Sequence, residues 1–180
     1  LTPEVAMGIL DTLGIRAKAP ATAAGDTETV RRIAASLDRL DPERARYLAA
    51  FAYLLTRVAS ADLKVSEDET RTMERIVMEK GALPEEQAVM VVQMAKTQSL
   101  LFGGVENFLV TREFREIASV EQRIGLLHCL FAVSAADHVI SSAEEGTIGK
   151  IASELMLDHA EYVAVKGAYR DRLATLQNGG

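Results

Sequence analysis

One pattern, written twice, restricts this chain more than any other feature. Residues 58–69 read VASADLKVSEDE and residues 133–144 read VSAADHVISSAE. At an offset of 75 residues, Val58/Val133, Ala61/Ala136, Asp62/Asp137, Ser66/Ser141 and Glu69/Glu144 coincide. The apolar positions around them coincide as well. Phe51, Leu55 and Val58 map onto Leu126, Leu130 and Val133, and Met73 and Ile76 onto Ile148 and Ile151. Each copy predicts the same unit: a long helix, a short loop bearing the motif, and a following helix. One such unit cannot bury its apolar face alone, so the two halves are expected to pack together about a pseudo-two-fold axis. Two copies at this spacing are too few and too long for a solenoid array.

The remaining sequence points the same way. Ala, Leu, Val, Met, Glu, Arg and Lys dominate, aromatics are 5% with no Trp, and strand-like runs are missing. That mixture predicts an all-α chain with an aliphatic core. We expect a helical bundle of about seven to nine helices with two pseudo-symmetric halves. Residues 1–27 read as a short helix (about 3–13) and a linker (14–27), and residues 28–176 as the helical domain. Its repeat halves are about 42–100 and 117–175.

Local signals set the helix ends. A helix over 27–39 stops before Asp41-Pro42, where Asp41 caps the next helix and Pro42 takes its first position. That helix should reach about Ala61, with Leu48, Phe51, Leu55 and Val58 on one face. Ser66 opens a helix that Gly81 closes. Pro84 starts one to about Ser99, and Gly103-Gly104 breaks the chain. Helices follow to about Ile117, over 120–136 (inward stripe Ile124, Leu127, Leu130, Phe131 and Val133 or Ser134), and from Ser141 to Met156. Asp158 caps the last, to about Leu173. Residues 178–180 read as a disordered tail.

Half of the motif has a purely structural explanation. Ser-x-x-Glu ahead of an apolar-periodic run is a capping box, so Ser66 and Ser141 are N-caps and Glu69 and Glu144 reach back to the cap amides. Val65 and Ile140 are then buried anchors just before each cap. Capping does not explain Asp62 and Asp137. Each stands at a helix C-terminus, where unpaired carbonyls already concentrate negative charge, and each continues the inward stripe. A carboxylate in that place needs a cation or hydrogen-bond donors. Loop amides or a basic side chain from a neighbouring helix would serve. So would a hard divalent cation held by oxygens from both loops. The loops are not EF-hands: counted from Asp62 the sixth and twelfth positions are Glu67 and Met73, and from Asp137 they are Ser142 and Ile148, where Gly and Glu are required.

At these residues the chain resembles the tellurite-resistance TerB family, which carries Ala-Asp-Gly-x-Ile/Val-Ser-x-x-Glu twice in an all-helical domain. Ala61 to Glu69 match the first copy and Ala136 to Glu144 the second, over roughly residues 40–175. The resemblance implies a non-enzymatic metal-binding or protein-interaction module of bacterial stress-response systems. Carried over by position, the metal ligands are Asp62, Glu69, Asp137 and Glu144, with Ca²⁺ or Mg²⁺ favoured. The family's Gly after Asp is Leu63 in one copy and His138 in the other. Gly there permits a positive φ that Leu tolerates poorly. His138 as an additional ligand would make a softer site, suited to Zn²⁺ or Mn²⁺.

Charge and composition exclude other classes. The net charge is -6, with 8 basic and 7 acidic residues in 1–58 but 12 and 19 in 59–180. No basic run exceeds Arg31-Arg32, so nucleic acid is not an expected partner. No apolar run approaches the roughly 20 residues of a membrane span. We expect a cytoplasmic module, with membrane association only through a segment outside this sequence, a protein partner, and self-association left open. Cys129, the single cysteine, lies in LLHCLFAV and reads as a buried apolar residue. His128 adjoins it, and His159 lies near the start of the last helix. HExxH, paired CxxC, a nucleophile elbow and a phosphate loop are all missing. A metal-dependent hydrolase built on the same carboxylates is the weakest reading, and a metal-free structural interaction domain is the main alternative. Glu67, Asp68 and Glu69 read as a solvated run, and Met73, Met78, Met90 and Met94 as core packing.

Overall fold

Asp41 begins a helix three residues after the preceding one ends at Asp38. The Asp41 carboxylate accepts the Arg44 amide (3.0 Å), and Pro42 occupies the first helical position, as its missing N–H allows. The computed structural model describes residues 24–58, 66–97, 107–137 and 139–177. Its helices are α1 (Ala24–Asp38), α2 (Pro42–Val58), α3 (Glu67–Gly81), α4 (Glu85–Lys96), α5 (Asn107–Ile117), α6 (Val120–Asp137), α7 (Ser142–Glu154), α8 (His159–Gly167) and the short α9 (Ala174–Gln177). A 3₁₀ turn at Arg170–Arg172 precedes α9, and an isolated parallel bridge joins Ile140 to Leu173. Among the described residues the fold is otherwise all helix.

Part of the packing matches the 75-residue offset. Helix α2 corresponds to α6, α3 to α7 and α4 to α8. The first helix of each half packs on the second helix of the other: α6 on α3, and α2 on α7. The third helix of each half returns to its first, α4 to α2 and α8 to α6. Helix α2 is enclosed by α1, α4, α5, α6 and α7. From Tyr47 to Thr56 every residue of it is buried, so its expected apolar face is in fact its whole circumference, as suits a helix at the centre of a bundle. Tyr47, Phe51 and Phe114 form the aromatic centre, with the Tyr47 and Phe114 rings stacked at 5.2 Å.

Several expected boundaries move. Helix α1 begins at Ala24, inside the expected linker. Helix α3 does not end on a left-handed glycine. Gly81 is its last residue and Ala82 takes the left-handed place, at φ 52° and ψ 39°. Gly81 is needed for closeness instead: a Cβ there would stand 3.0 Å from Phe51 and 3.3 Å from the Cys129 sulfur. Pro84 is the N-cap of α4 and not its first residue. The stripe of α6 is shifted toward Leu126, Leu127, Cys129, Leu130 and Phe131, all fully buried, while Ile124, Val133 and Ser134 are half-buried. Helix α8 ends at Gly167, six residues short of Leu173. Met73 and Met94 are core and Met90 packs against it, but Met78 is exposed. The expected helix at 3–13, the Gly103-Gly104 break and the tail lie outside the described residues, as does Val65.

A largely buried ion pair ties the halves together. The guanidinium of Arg57, near the end of α2, donates to Glu154 of α7 (2.6 and 3.4 Å) and to Thr111 of α5 (3.0 Å). The Arg57 and Glu154 side chains are 7% and 15% exposed, which separates this pair from the surface bridges. Burial alone would raise the Glu154 carboxyl. Hydrogen bonds from Arg57 and Thr111 and the charges of Arg57 and Lys150 outweigh it and hold the group below its ordinary value.

Candidate functional site

Both capping boxes of the motif are formed. The Glu69 amide donates to Ser66 Oγ (3.3 Å) and the Ser66 amide to Glu69 Oε2 (2.6 Å). At the second copy the Glu144 amide donates to Ser141 Oγ (3.2 Å), and the Ser141 amide and hydroxyl both donate to Glu144 Oε2 (2.8 and 2.7 Å). The bonds from the Ser66 amide and hydroxyl hold the Glu69 carboxyl below its ordinary value. In both copies these bonds fall on Oε2.

The same device appears where no acidic loop precedes it. Asp158 and Glu161 form a capping box at α8, and Ser119 and Gln122 exchange the same pair of bonds at the start of α6 (2.8 and 3.1 Å). The Ser and Glu of the motif are therefore ordinary helix-start chemistry in this chain. What distinguishes the repeated loops is the aspartate ahead of each cap. Asp62 and His138 lie outside the described residues; Asp137 is the last residue of α6, and its side chain is likewise outside them. Among the described residues, no three His, Cys, Asp or Glu side chains are grouped as a metal site would require.

Backbone geometry relates the helices that flank the two loops. Helix α3 runs antiparallel along α6. A Cβ on Gly125, near the start of α6, would stand 2.9 Å from the Lys80 carbonyl at the end of α3. A turn further along α6, the Cys129 thiol faces the Ile76 carbonyl (3.8 Å). With the helices opposed in this way, the first turn of α3, carrying Ser66 and Glu69, lies toward the end of α6 that carries Asp137.

A lysine reaches the fourth position of the second helix in each half. Lys96, the last residue of α4, donates to Thr70 Oγ1 (3.1 Å), which itself donates to the Ser66 carbonyl (2.9 Å). Lys166 of α8 is ion-paired with Glu145. The Glu145 hydrogen bond, helped by its charge, raises the Lys166 ammonium above its ordinary value. Thr70 and Glu145 stand at the repeat offset, but Lys96 and Lys166 do not. A search for matching residues therefore passes over these two lysines, and only the fold reveals them.

Cys129 is fully buried, and burial pushes its thiol up to about 12. His128 is half-buried, its Nδ1 3.3 Å from the Tyr169 hydroxyl; burial and the nearby Lys80 charge lower its basicity. His159 is exposed at the first position of α8. No described helix is long and apolar enough to cross a membrane.

The family model described as "Tellurite resistance protein TerB" matches residues 47–167. This chain belongs to the TerB family. The match runs from within α2 to the end of α8 and contains both loops, both capping boxes and the Arg57–Glu154 pair. No curated protein and no solved structure matches the chain. The all-helical bundle expected for TerB is the one observed.

Proposed function

We propose that this TerB chain is a non-enzymatic module whose two motif loops bind a divalent cation through Asp62, Glu69, Asp137 and Glu144. Bound or free, the loops would present an acidic surface to a protein partner in a bacterial stress response. The antiparallel register of α3 on α6 carries the reading, because it sets the first motif's helix start toward the end of α6 where Asp137 stands. Oxygen donors of this kind favour Ca²⁺ or Mg²⁺, and participation of His138 would shift preference toward Zn²⁺ or Mn²⁺. The acidic excess of residues 59–180 also suits a cation or a basic partner surface.

The test is a calorimetric titration of chelator-stripped protein with Ca²⁺, Mg²⁺, Mn²⁺ and Zn²⁺, repeated on Asp62→Asn/Asp137→Asn. Saturable binding lost in the double variant supports the site. Absence of binding to folded wild-type protein removes it. A metal-free interaction domain then becomes the better reading. Four capping boxes, two of them away from the acidic loops, favour that alternative. In that case Asp62 and Asp137 would serve only to hold their own loops.

A further inference from the structure

The third helices of the two halves end at different places. Helix α4 stays helical to Lys96, whereas α8 stops at Gly167 and the chain turns back toward the second motif. Three attachments lie within a few residues of that end. Lys166 pairs with Glu145 of α7. Tyr169 stacks on Phe131 (centroids 5.4 Å apart, planes at 13°), and its hydroxyl donates to the His128 carbonyl of α6 (3.0 Å). Leu173, 1% exposed, then lies beside Ile140, which is fully buried. There the Ile140 amide donates to the Arg172 carbonyl (2.7 Å) and the Ala174 amide to the Ile140 carbonyl (3.0 Å).

Ile140 immediately precedes the N-cap Ser141, and that position fixes the angle at which the chain enters the helix. Its amide and its carbonyl are both committed to the returning segment, so neither helps to hold the loop from within. We infer that residues 168–177 form a strap that sets the conformation of the second motif loop. An event that lifts the strap would therefore change the second loop and leave the first unchanged. This inference is independent of whether a cation binds.

Amide hydrogen exchange on the full chain tests it. In Leu173→Ala the buried plug is lost. The Ile140 and Ala174 amides should then exchange on the order of a hundredfold faster, while Leu126 to Leu130 of α6 and Thr70 in the first half keep their rates. Tyr169→Phe keeps the ring stack but loses the bond to His128, and should speed Ile140 roughly fivefold. Leu176→Ala, at an exposed site, should change nothing. The inference is overturned if Ile140 keeps its rate in either of the first two variants. It is equally overturned if all amides accelerate together, or if Leu176→Ala matches Leu173→Ala.

Discussion

Two glycine-to-alanine substitutions should shift stability in opposite directions. Gly146 lies inside α7 with open space where a Cβ would go. Alanine there removes the helix-interior penalty of glycine and should stabilise the fold by about 0.8–1 kcal/mol. Gly125 lies inside α6, and its Cβ would stand 2.9 Å from the Lys80 carbonyl oxygen and 3.9 Å from the Gly81 Cα. Ordinary contact begins near about 3.5 Å, so α3 would have to retreat by roughly half an ångström. The obstacle is main chain and cannot rotate away. Retreat would also loosen Met73 and Val77, two of the buried residues of α3. Overpacking of this kind costs about 1–3 kcal/mol. Set against the same propensity gain, Gly125→Ala should destabilise by about 1 kcal/mol. Urea unfolding reads both, as midpoint shifts of opposite sign at unchanged slope. If Gly125→Ala is as stable as Gly146→Ala, the α3–α6 approach is not as close as described, and the register that sets the first turn of α3 toward the end of α6 fails with it.

Arg57→Met leaves Glu154 without its main partner in a mostly buried site and should cost about 3 kcal/mol in chemical unfolding; adding Glu154→Leu should recover most of that loss. Because the folded Glu154 carboxyl is held below its unfolded value of 4.5, its contribution is complete above that pH and is lost as pH falls through the folded value. The acid limb of a stability–pH curve should accordingly be shallower in Glu154→Gln. Ala82→Gly relieves a left-handed alanine and should stabilise by about 0.5–1 kcal/mol, readable as a raised melting temperature. The Cys129 thiol, buried and pushed up to about 12, should resist a thiol reagent at neutral pH in the native protein and react only on unfolding.

Local chemistry was legible and long-range chemistry was not. Ser66, Ser141 and Asp158 declare their helices because a cap and its acid lie three residues apart and need nothing else. Gly81 misled because a glycine at the end of a helical run suits both a left-handed cap and a close crossing, and only the position of Phe51 decides between them. Leu173 continues the apolar spacing of α8, yet it reaches the core by leaving the helix at Gly167 and pairing with Ile140. Periodicity reports which residues must be buried, without stating what backbone carries them there. Arg57 and Glu154 are 97 residues apart and break no pattern, so the largely buried pair between the halves left no signal. Of the candidate site, Glu69 and Glu144 were legible for their caps, whereas any ion held beside them depends on how the two loops meet, which no local spacing encodes.

The enclosure of α2 also has a consequence for synthesis. Its last wall is α7, and Glu154, which neutralises Arg57, is translated 97 residues after it. At about 5–20 residues per second, a ribosome needs roughly 5–20 s to cover that distance. For that interval the nascent chain carries a helix whose sides are apolar almost all round, sheathed only by α1 and by whichever of α4, α5 and α6 have been made. A pause in translation before residue 154 would lengthen that exposure and favour aggregation over folding.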